Sequence, residues 1–295
     1  MEPLKVRSFA KINWMLRILD RRADGYHDLE TIFQTISLHD VLSFTRSDQL
    51  ELACDDPTIP AGEVNLAWRA AARMIEEFGI DPVRIDIRKA IPAGGGLGGG
   101  SSNAATTLMA LDRMLELDAG PERPLDIALE LGSDVPFFLV GGTAWGSGRG
   151  ERLRLLPSPP PVPLVVLLPE ERVSTAEAYA ALAEARESGD LRPPLPFRFD
   201  LAEWVMREGV VERGSELFND FESVAFRMHP RLEDLKKALL DAGAAVALMS
   251  GSGSAIFGAF PDRESRDRAV PRFARGLTAV PCEMMSAHEA MSDLR

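Results

Sequence analysis

Pro92-Ala93-Gly94-Gly95-Gly96-Leu97-Gly98-Gly99-Gly100-Ser101-Ser102-Asn103-Ala104-Ala105 is the stretch that decides how this chain is read. Six of the seven residues from Gly94 to Gly100 are glycine. Such a run lets the backbone take left-handed conformations and bring several N–H groups to one anion. Upstream, Val83-Arg84-Ile85-Asp86-Ile87-Arg88 alternates apolar and charged residues, which predicts a strand. Downstream, Ala104, Leu108, Leu111 and Leu115 recur at helical spacing, with Ser101 or Ser102 at the helix start. A strand before and a helix after demand an ordered connection. The positive end of the helix dipole is a second reason to expect a phosphate there.

Other glycine loops fit less well. Gly94-x-Gly96-x-x-Gly99 matches the dinucleotide fingerprint formally, but a second helical segment follows where a strand and an acidic residue are needed. A Walker loop needs Lys before its Ser or Thr, and the run holds no lysine. The His-Arg-Asp and Asp-Phe-Gly stretches of protein kinases are missing, and Ser8-Phe9-Ala10-Lys11 lacks the partner motifs of the penicillin-binding pattern.

The 295 residues, at about 150 per domain, suggest two domains or one large one. Hydrophobic residues at 45% and charged residues at 26% exclude a disordered, collagen-like or coiled-coil chain. Lys plus Arg is 33 against 45 for Asp plus Glu, a net charge of −12 that argues against nucleic acid as a partner. Cys54 and Cys282 form no metal- or redox-type pair, so a reducing compartment is expected. Met1 to Ser8 has no apolar signal core, and no apolar run reaches the length of a membrane span. These features predict a cytoplasmic protein with no membrane partner.

Val6 to Leu19 has strand composition, Arg21 to His27 reads as a loop, and Thr31–Ser37 and Val41–Phe44 read as two further strands. Val64 to Phe78 and Pro124 to Leu131 follow helical periodicity, the latter stopping at Gly132. Five prolines between Leu155 and Pro163 mark a connection between domains, and Leu164 to Leu168 restarts the chain as a buried strand. Helices are expected near Thr175–Arg186, Phe218–Phe226 and Arg231–Leu240. A hairpin follows, from Ala244–Met249 to Ser254–Phe260 around Ser250-Gly251-Ser252-Gly253. The expected division is 1–157 and 163–295.

The glycine loop resembles the phosphate loop of the GHMP small-molecule kinases. Within that superfamily four further blocks resemble the 4-diphosphocytidyl-2-C-methyl-D-erythritol kinase family. They are Ala10-Lys11-Ile12-Asn13, Arg22-Ala23-Asp24-Gly25-Tyr26-His27, Gly132-Ser133-Asp134-Val135-Pro136-Phe137-Phe138 and Met249-Ser250-Gly251-Ser252-Gly253-Ser254. Together they run from residue 10 to about residue 260. The resemblance implies an α+β two-domain GHMP kinase fold. Its amino-terminal domain is ribosomal protein S5 domain 2-like and its carboxy-terminal domain ferredoxin-like. It implies ATP-dependent phosphorylation of the 2-hydroxyl of 4-diphosphocytidyl-2-C-methyl-D-erythritol, in the non-mevalonate route to isoprenoid precursors. The chain would act as a monomer or homodimer, with Mg2+ accompanying ATP. A GHMP kinase for a sugar, mevalonate or homoserine is the first alternative, and Tyr26-His27 argues against it because those substrates offer no base. A non-catalytic nucleotide- or RNA-binding module is the second, opposed by the net charge and by Lys11 with Asp134.

The residues carry roles on the same footing. Phosphoryl transfer is mostly positioning and charge stabilisation. By the resemblance, Asp134 accepts the proton of the substrate hydroxyl. By position alone it caps the helix that Pro136 opens. A carboxylate at a helix N-terminus is stabilised as the anion and is a weaker base, which favours orienting the hydroxyl over deprotonating it. Lys11 and Asn13, two apart on a strand, share a face. In the family the lysine lies beside the carboxylate and the asparagine binds substrate, whereas position alone allows a solubilising edge lysine. Tyr26 and Tyr179 are expected on the two sides of the cytosine, with His27 reading its edge and Thr175 nearby. Core packing remains the alternative for Tyr179, and a surface loop position for His27. ATP is expected on Pro92, Ala93, Gly94, Gly95, Gly96, Leu97, Gly98, Gly99, Gly100, Ser101 and Ser102, with Ser102 the candidate magnesium ligand. Asn65 and Lys89 match adenine-pocket positions, against a helix cap and the end of a solvated strand. The turn at 250–253 is expected to close over the site. Trp14 stands where the family carries a smaller aliphatic residue, so a packing adjustment is expected there.

Overall fold

A long antiparallel pair organises the amino-terminal half: β1 (Leu4–Arg21) runs beside β2 (His27–Arg46) over almost its whole length. A computed structural model describes residues 3–191, 198–273 and 276–294, so Met1 and Glu2 of the stretch without a signal core lie outside it. The two strands expected at 31–37 and 41–44 are one. The pairing of Phe9 with His39 shifts to Ala10 with Ile36, and this bulge lets β2 bend without breaking. On its other edge β2 carries β4 (Val83–Arg88) and β5 (Thr143–Ser147), antiparallel to both. β3 (Glu51–Cys54) adds to β4 in parallel and β6 (Arg152–Leu155) to β5 antiparallel, completing a six-stranded sheet.

Four helices cover one face of this sheet. α1 (Leu66–Phe78) starts at Asn65, whose side chain accepts from the Ala67 N–H, and α2 (Gly99–Leu115) follows the glycine loop. α3 (Glu122–Leu131) and α4 (Val135–Val140) flank Asp134. Their apolar faces meet Leu42, Phe44, Ile85 and Ile87 in one core.

The second sheet has strand order β10-β7-β9-β8, from β7 (Pro163–Leu168), β8 (Val246–Met249), β9 (Ile256–Ala259) and β10 (Thr278–Glu283). Helices lie between β7 and β8: α5 (Thr175–Glu187), α6 (Phe199–Glu208), α7 (Glu222–Met228) and α8 (Pro230–Asp241). α9 (Arg263–Phe273) joins β9 to β10, and a short α10 (Ala287–Ala290) ends the run of helices. This strand–helix–hairpin–helix–strand order, antiparallel throughout, is the ferredoxin-like arrangement expected.

Ala10, Ile12 and Trp14 on one face of β1 pack with Leu164, Val166 and Phe257, so the two halves share a core. Lys11 and Asn13 point the other way, toward the glycine loop. Trp14 is fully buried, edge-on to Phe257 at 5.2 Å, and its indole N–H has no hydrogen-bond partner among the described residues. The helix expected at 218–226 begins only at Glu222, because Asn219 bridges to Leu16 of β1 and the chain then turns through Asp220 and Phe221.

Candidate active site

The glycine loop folds as a sequence of close approaches. A Cβ at Gly96, where φ is +75°, would stand 2.0 Å from the Ser250 carbonyl oxygen. One at Gly98 would stand 2.7 Å from the Phe138 ring. The loop carbonyls are taken up by the protein: Leu97 accepts from the Lys11 N–H at 3.0 Å, Gly95 from the Ala255 N–H at 3.2 Å, and Gly96 from Ser250 Oγ at 2.9 Å. α2 starts from Gly98 with no side-chain cap. Its 17 residues present an uncapped positive end beside a cleft of about 1020 Å³ lined by Gly94, Gly96, Gly98 and Ser101. Ser102 turns away from that cleft. It is buried, its Oγ donates to the Phe9 carbonyl at 2.6 Å, and Ser8 Oγ lies 2.7 Å off. Ser102 is thus neither a helix cap nor, with its hydroxyl so engaged, the magnesium ligand expected. Ser101 is the serine on the cleft wall.

Lys11 and Asp134 meet across the same cleft. Lys11 Nζ donates to Asn13 Oδ1 at 2.7 Å and lies 3.8 Å from Asp134 Oδ2, over the Phe33 ring at 5.7 Å. The lysine is 3% exposed, whereas the Asp134 side chain is about a third open to solvent. Burial pushes the Lys11 pKa down, and the Asp134 charge opposes that shift. Asn13 Oδ1 is fully used, since it also accepts from the Gly251 N–H at 3.0 Å, while its Nδ2 donates to Thr31 Oγ1 at 2.7 Å. Asp134 stands in the N-cap position of α4 without making a side-chain cap hydrogen bond, so its carboxylate is not spent on the helix.

The far end of the cleft is aromatic. His27 lies flat on Tyr179, with ring centroids 4.9 Å apart and planes at 21°, and Tyr179 meets Phe221 edge-on at 4.9 Å. Tyr26 is exposed in the loop between β1 and β2, its N–H donating to Asp24, with the Arg149 guanidinium 4.9 Å above its ring. The expected pairing of Tyr26 and Tyr179 across a base is not the arrangement present, because His27 covers the Tyr179 face. Thr175 opens α5 and hydrogen-bonds Ser252 Oγ at 2.8 Å, which ties the 250–253 turn to this end. Gly251 and Ser252 of that turn line the cleft. Burial, helped by the Asp134 charge, pushes the Tyr179 phenol up to about 12, and burial followed by Arg21 and Arg186 pushes His27 down.

Residues 65–142 match the GHMP kinases N terminal domain and residues 206–277 the GHMP kinases C terminal domain. The 4-diphosphocytidyl-2-C-methyl-D-erythritol kinase of Moorella thermoacetica is 40% identical over 92% of this chain and 95% of its own. That of Solibacter usitatus is 46% identical over 90% and 84%. The chain belongs to the 4-diphosphocytidyl-2-C-methyl-D-erythritol kinase family. A crystal structure of 4-(cytidine 5'-diphospho)-2C-methyl-D-erythritol kinase superposes with a TM-score of 0.81 at 37% identity, covering 95% of this chain and 98% of the other. A mevalonate kinase from L. major, at 16% identity and a TM-score of 0.71 over 96% of each chain, shares the fold.

Two residues that the family motifs suggest for the nucleotide lie outside this cleft. Asn65 is occupied as the cap of α1, with its Nδ2 donating to the Pro60 carbonyl at 3.0 Å. Lys89 Nζ pairs with the fully buried Asp40 at 2.5 Å. Lys89 borders the back of the loop, its Nζ 3.3 Å from a Cβ built at Gly99, and Leu66, next to Asn65, lies 3.7 Å from one built at Gly100. Sequence reasoning missed Arg149, on the cleft wall, and Asn219, which is buried behind the 249–252 turn. Neither belongs to a glycine or aromatic block, and only the contact with Tyr26 or with the turn gives it away. Among the described residues no helix is long and apolar enough to cross a membrane.

Proposed function

We propose that this chain transfers the γ-phosphoryl group of ATP to the 2-hydroxyl of 4-diphosphocytidyl-2-C-methyl-D-erythritol in the non-mevalonate isoprenoid route. The observation that carries the reading is a single cleft with an uncapped helix start and glycine loop at one end, His27 and Tyr179 at the other, and Lys11 with Asp134 between them. An anion site, a carboxylate–ammonium pair and an aromatic site lie in the order that ATP, a reacting hydroxyl and a cytidine require.

In this reading the substrate hydroxyl sits against Asp134, which orients it and takes its proton as the new O–P bond forms. The bond from the γ-phosphorus to the bridging oxygen breaks, and ADP leaves. The transition state is loose, so the proton moves late and a carboxylate of modest basicity suffices. Lys11 attracts the Asp134 carboxylate and offsets charge on the transferring group. The glycine loop, Pro92 to Ser101, holds the phosphates, and Ser102 fastens the start of α2 to β1. Asn65 and Lys89 serve the adenine side, supported by their place behind the loop. Tyr26, His27, Tyr179, Thr175 and Asn13 take the cytidine substrate, with His27 swinging off Tyr179 to admit the base. Magnesium, held mainly by phosphate oxygens as is usual for this ion, would neutralise phosphate charge. The described residues hold no cluster of three His, Cys, Asp or Glu, which suits such a site, and Ser101 and Asp134 offer oxygens on the wall.

We place the enzyme in the cytoplasm, as a monomer or homodimer, without nucleic acid as a partner. We divide it at 157–163, where β6 ends and β7 begins. The test is ADP release with magnesium and ATP against the cytidine diphosphate methylerythritol substrate, mevalonate, homoserine and galactose. Turnover with the cytidine compound alone is expected. Turnover with another member would keep the superfamily and discard the cytosine subsite, and binding of ATP without any turnover would favour a binding module.

A further inference from the structure

The turn from Met249 to Ser252 roofs Lys11, and a side chain from elsewhere in the chain fixes it. Asn219 is 4% exposed, and its Nδ2 donates to the carbonyls of Met249 and Gly251, both at 2.7 Å. Its Oδ1 accepts from the Phe221 N–H at 3.0 Å. The backbone on either side is anchored to β1, with the Leu16 N–H donating to the Phe218 carbonyl and the Asp220 N–H to the Leu16 carbonyl, each at 2.9 Å. Glu222, one turn on, accepts from the Met249 N–H at 2.8 Å, so residues 219–222 grip both polar groups of Met249.

A residue that only opened α7 would need the acceptor alone, which is what an Asx turn uses. Both N–H groups of Asn219 do something else. They hold the turn where the Gly251 N–H reaches Asn13 Oδ1, the same oxygen that accepts from Lys11 Nζ. They also hold it where Ser250 Oγ reaches the Gly96 carbonyl. Through one turn, Asn219 is linked to the lysine and to the phosphate loop.

We infer that Asn219 is a positioning residue for phosphoryl transfer, clamping the 249–251 turn so that the Gly251 N–H fixes Asn13 Oδ1, which in turn holds the Lys11 ammonium toward Asp134. The inference deepens the proposed function and rests on it. It carries a signature that capping does not share. Aspartate at 219 keeps the acceptor and the size of the side chain, loses both donations and sets a carboxylate against two carbonyls. Serine keeps a helix-start acceptor and removes the donations without adding charge.

The experiment compares wild type, Asn219→Asp and Asn219→Ser in steady-state kinetics with ATP and the cytidine substrate, alongside thermal unfolding and hydrogen exchange at the Gly251 amide. Both variants are expected to lose kcat by about ten- to hundredfold, the scale of a misplacement near 1 Å. KM for both substrates should stay within about threefold, the pattern of an interaction expressed in the transition state. Gly251 exchange should quicken at least about tenfold, a local opening that needs no substrate. Wild-type kcat in Asn219→Asp would leave capping as its whole role and overturn the inference. So would losses confined to KM, or two variants that do not fold, which would assign Asn219 to folding. If wild type itself turns nothing over, the proposed function fails while the exchange data still decide whether Asn219 clamps the turn.

Discussion

Lys11 Nζ lies 3.8 Å from Asp134 Oδ2, too far for a hydrogen bond and near enough for strong attraction in a half-closed cleft. The ammonium spends its short contact on Asn13 instead, at 2.7 Å. This leaves the carboxylate free to accept a hydrogen bond from a ligand while the lysine charge stays beside it. A direct, short ion pair would have consumed the acceptor. The spacing suits a hydroxyl placed between the two groups.

Asp134→Asn tests that arrangement. The amide keeps the size of the side chain and one acceptor but cannot take a proton. If Asp134 acts in proton transfer, kcat should fall by roughly 10²–10⁴. A loss under tenfold would confine Asp134 to orienting the hydroxyl and leave the kinase assignment standing.

Lys11 sets the alkaline limit. Burial pushes its pKa below the ordinary lysine value of 10.5, so the ammonium is lost at lower pH than in a free side chain. If the charge is needed, kcat/KM should be flat below that lowered pKa and fall as pH rises through it, with the limb below 10.5. Lys11→Arg, which cannot deprotonate in this range, should remove the limb whatever activity it retains. An alkaline limb unchanged in Lys11→Arg would mean another group titrates.

Tyr179 separates stacking from hydrogen bonding at the cytidine end. Its phenol, pushed up to about 12, stays protonated at any working pH. Tyr179→Ala removes a stacking face worth about 1–3 kcal/mol per base, so KM for the cytidine substrate should rise about five- to hundredfold. Tyr179→Phe keeps the face and should give the smaller change. Equal rises in both variants would make the hydroxyl, not the ring, the group that binds.

Local pattern carried most of the fold, and long-range contact supplied the rest. The glycine loop, the alternation at Val83–Arg88 and the helical face at Val64–Phe78 are signals contained within a dozen residues, and each matches an element. α9 was not legible because Arg263, Glu264, Arg266, Asp267 and Arg268 blur any apolar stripe. β5 and β6 were missed as strands of five and four residues, too short to show a period. In the site, Lys11, Asn13 and Asp134 came from motif, but Ser102 was misread because the motif says a hydroxyl is present and not which way it points. Asn219 was invisible for a similar reason: its partners lie 30 and 32 residues away, beyond α7 and α8, at the end of β8 and just past it.

Gly96 and Gly94 form a controlled pair for the phosphate loop. Both are left-handed, at φ +75° and +76°, so alanine strains either one by about 1–2 kcal/mol. Only at Gly96 does the new methyl also strike backbone, 2.0 Å from the Ser250 oxygen, whereas at Gly94 nothing lies within 4 Å. Gly94→Ala should fold with the modest loss. Gly96→Ala should lose more than about 4 kcal/mol or unfold, because the turn at 250–253 cannot retreat without leaving Asn219. Denaturant midpoints for the two variants decide it, and similar values would mean the loop and the turn are looser than their spacing implies.

Asp40 and Lys89 make the last test, on the strand exit that feeds the loop. Asp40 is fully buried and accepts from Lys89 Nζ at 2.5 Å and from the Ala90 and Ile91 N–H groups at 2.8 and 2.9 Å. Asp40→Asn keeps the shape but leaves the ammonium, whose side chain is 8% exposed, without its anion. Removing one partner of such a pair costs about 3–5 kcal/mol, so the urea midpoint should drop with the slope unchanged. Adding Lys89→Met removes the stranded charge and should recover much of that loss, since replacing both partners is often close to neutral. The double variant also separates stability from nucleotide binding: with the fold restored, a raised KM for ATP would support Lys89 on the adenine side, and an unchanged one would leave Lys89 to the strand exit alone.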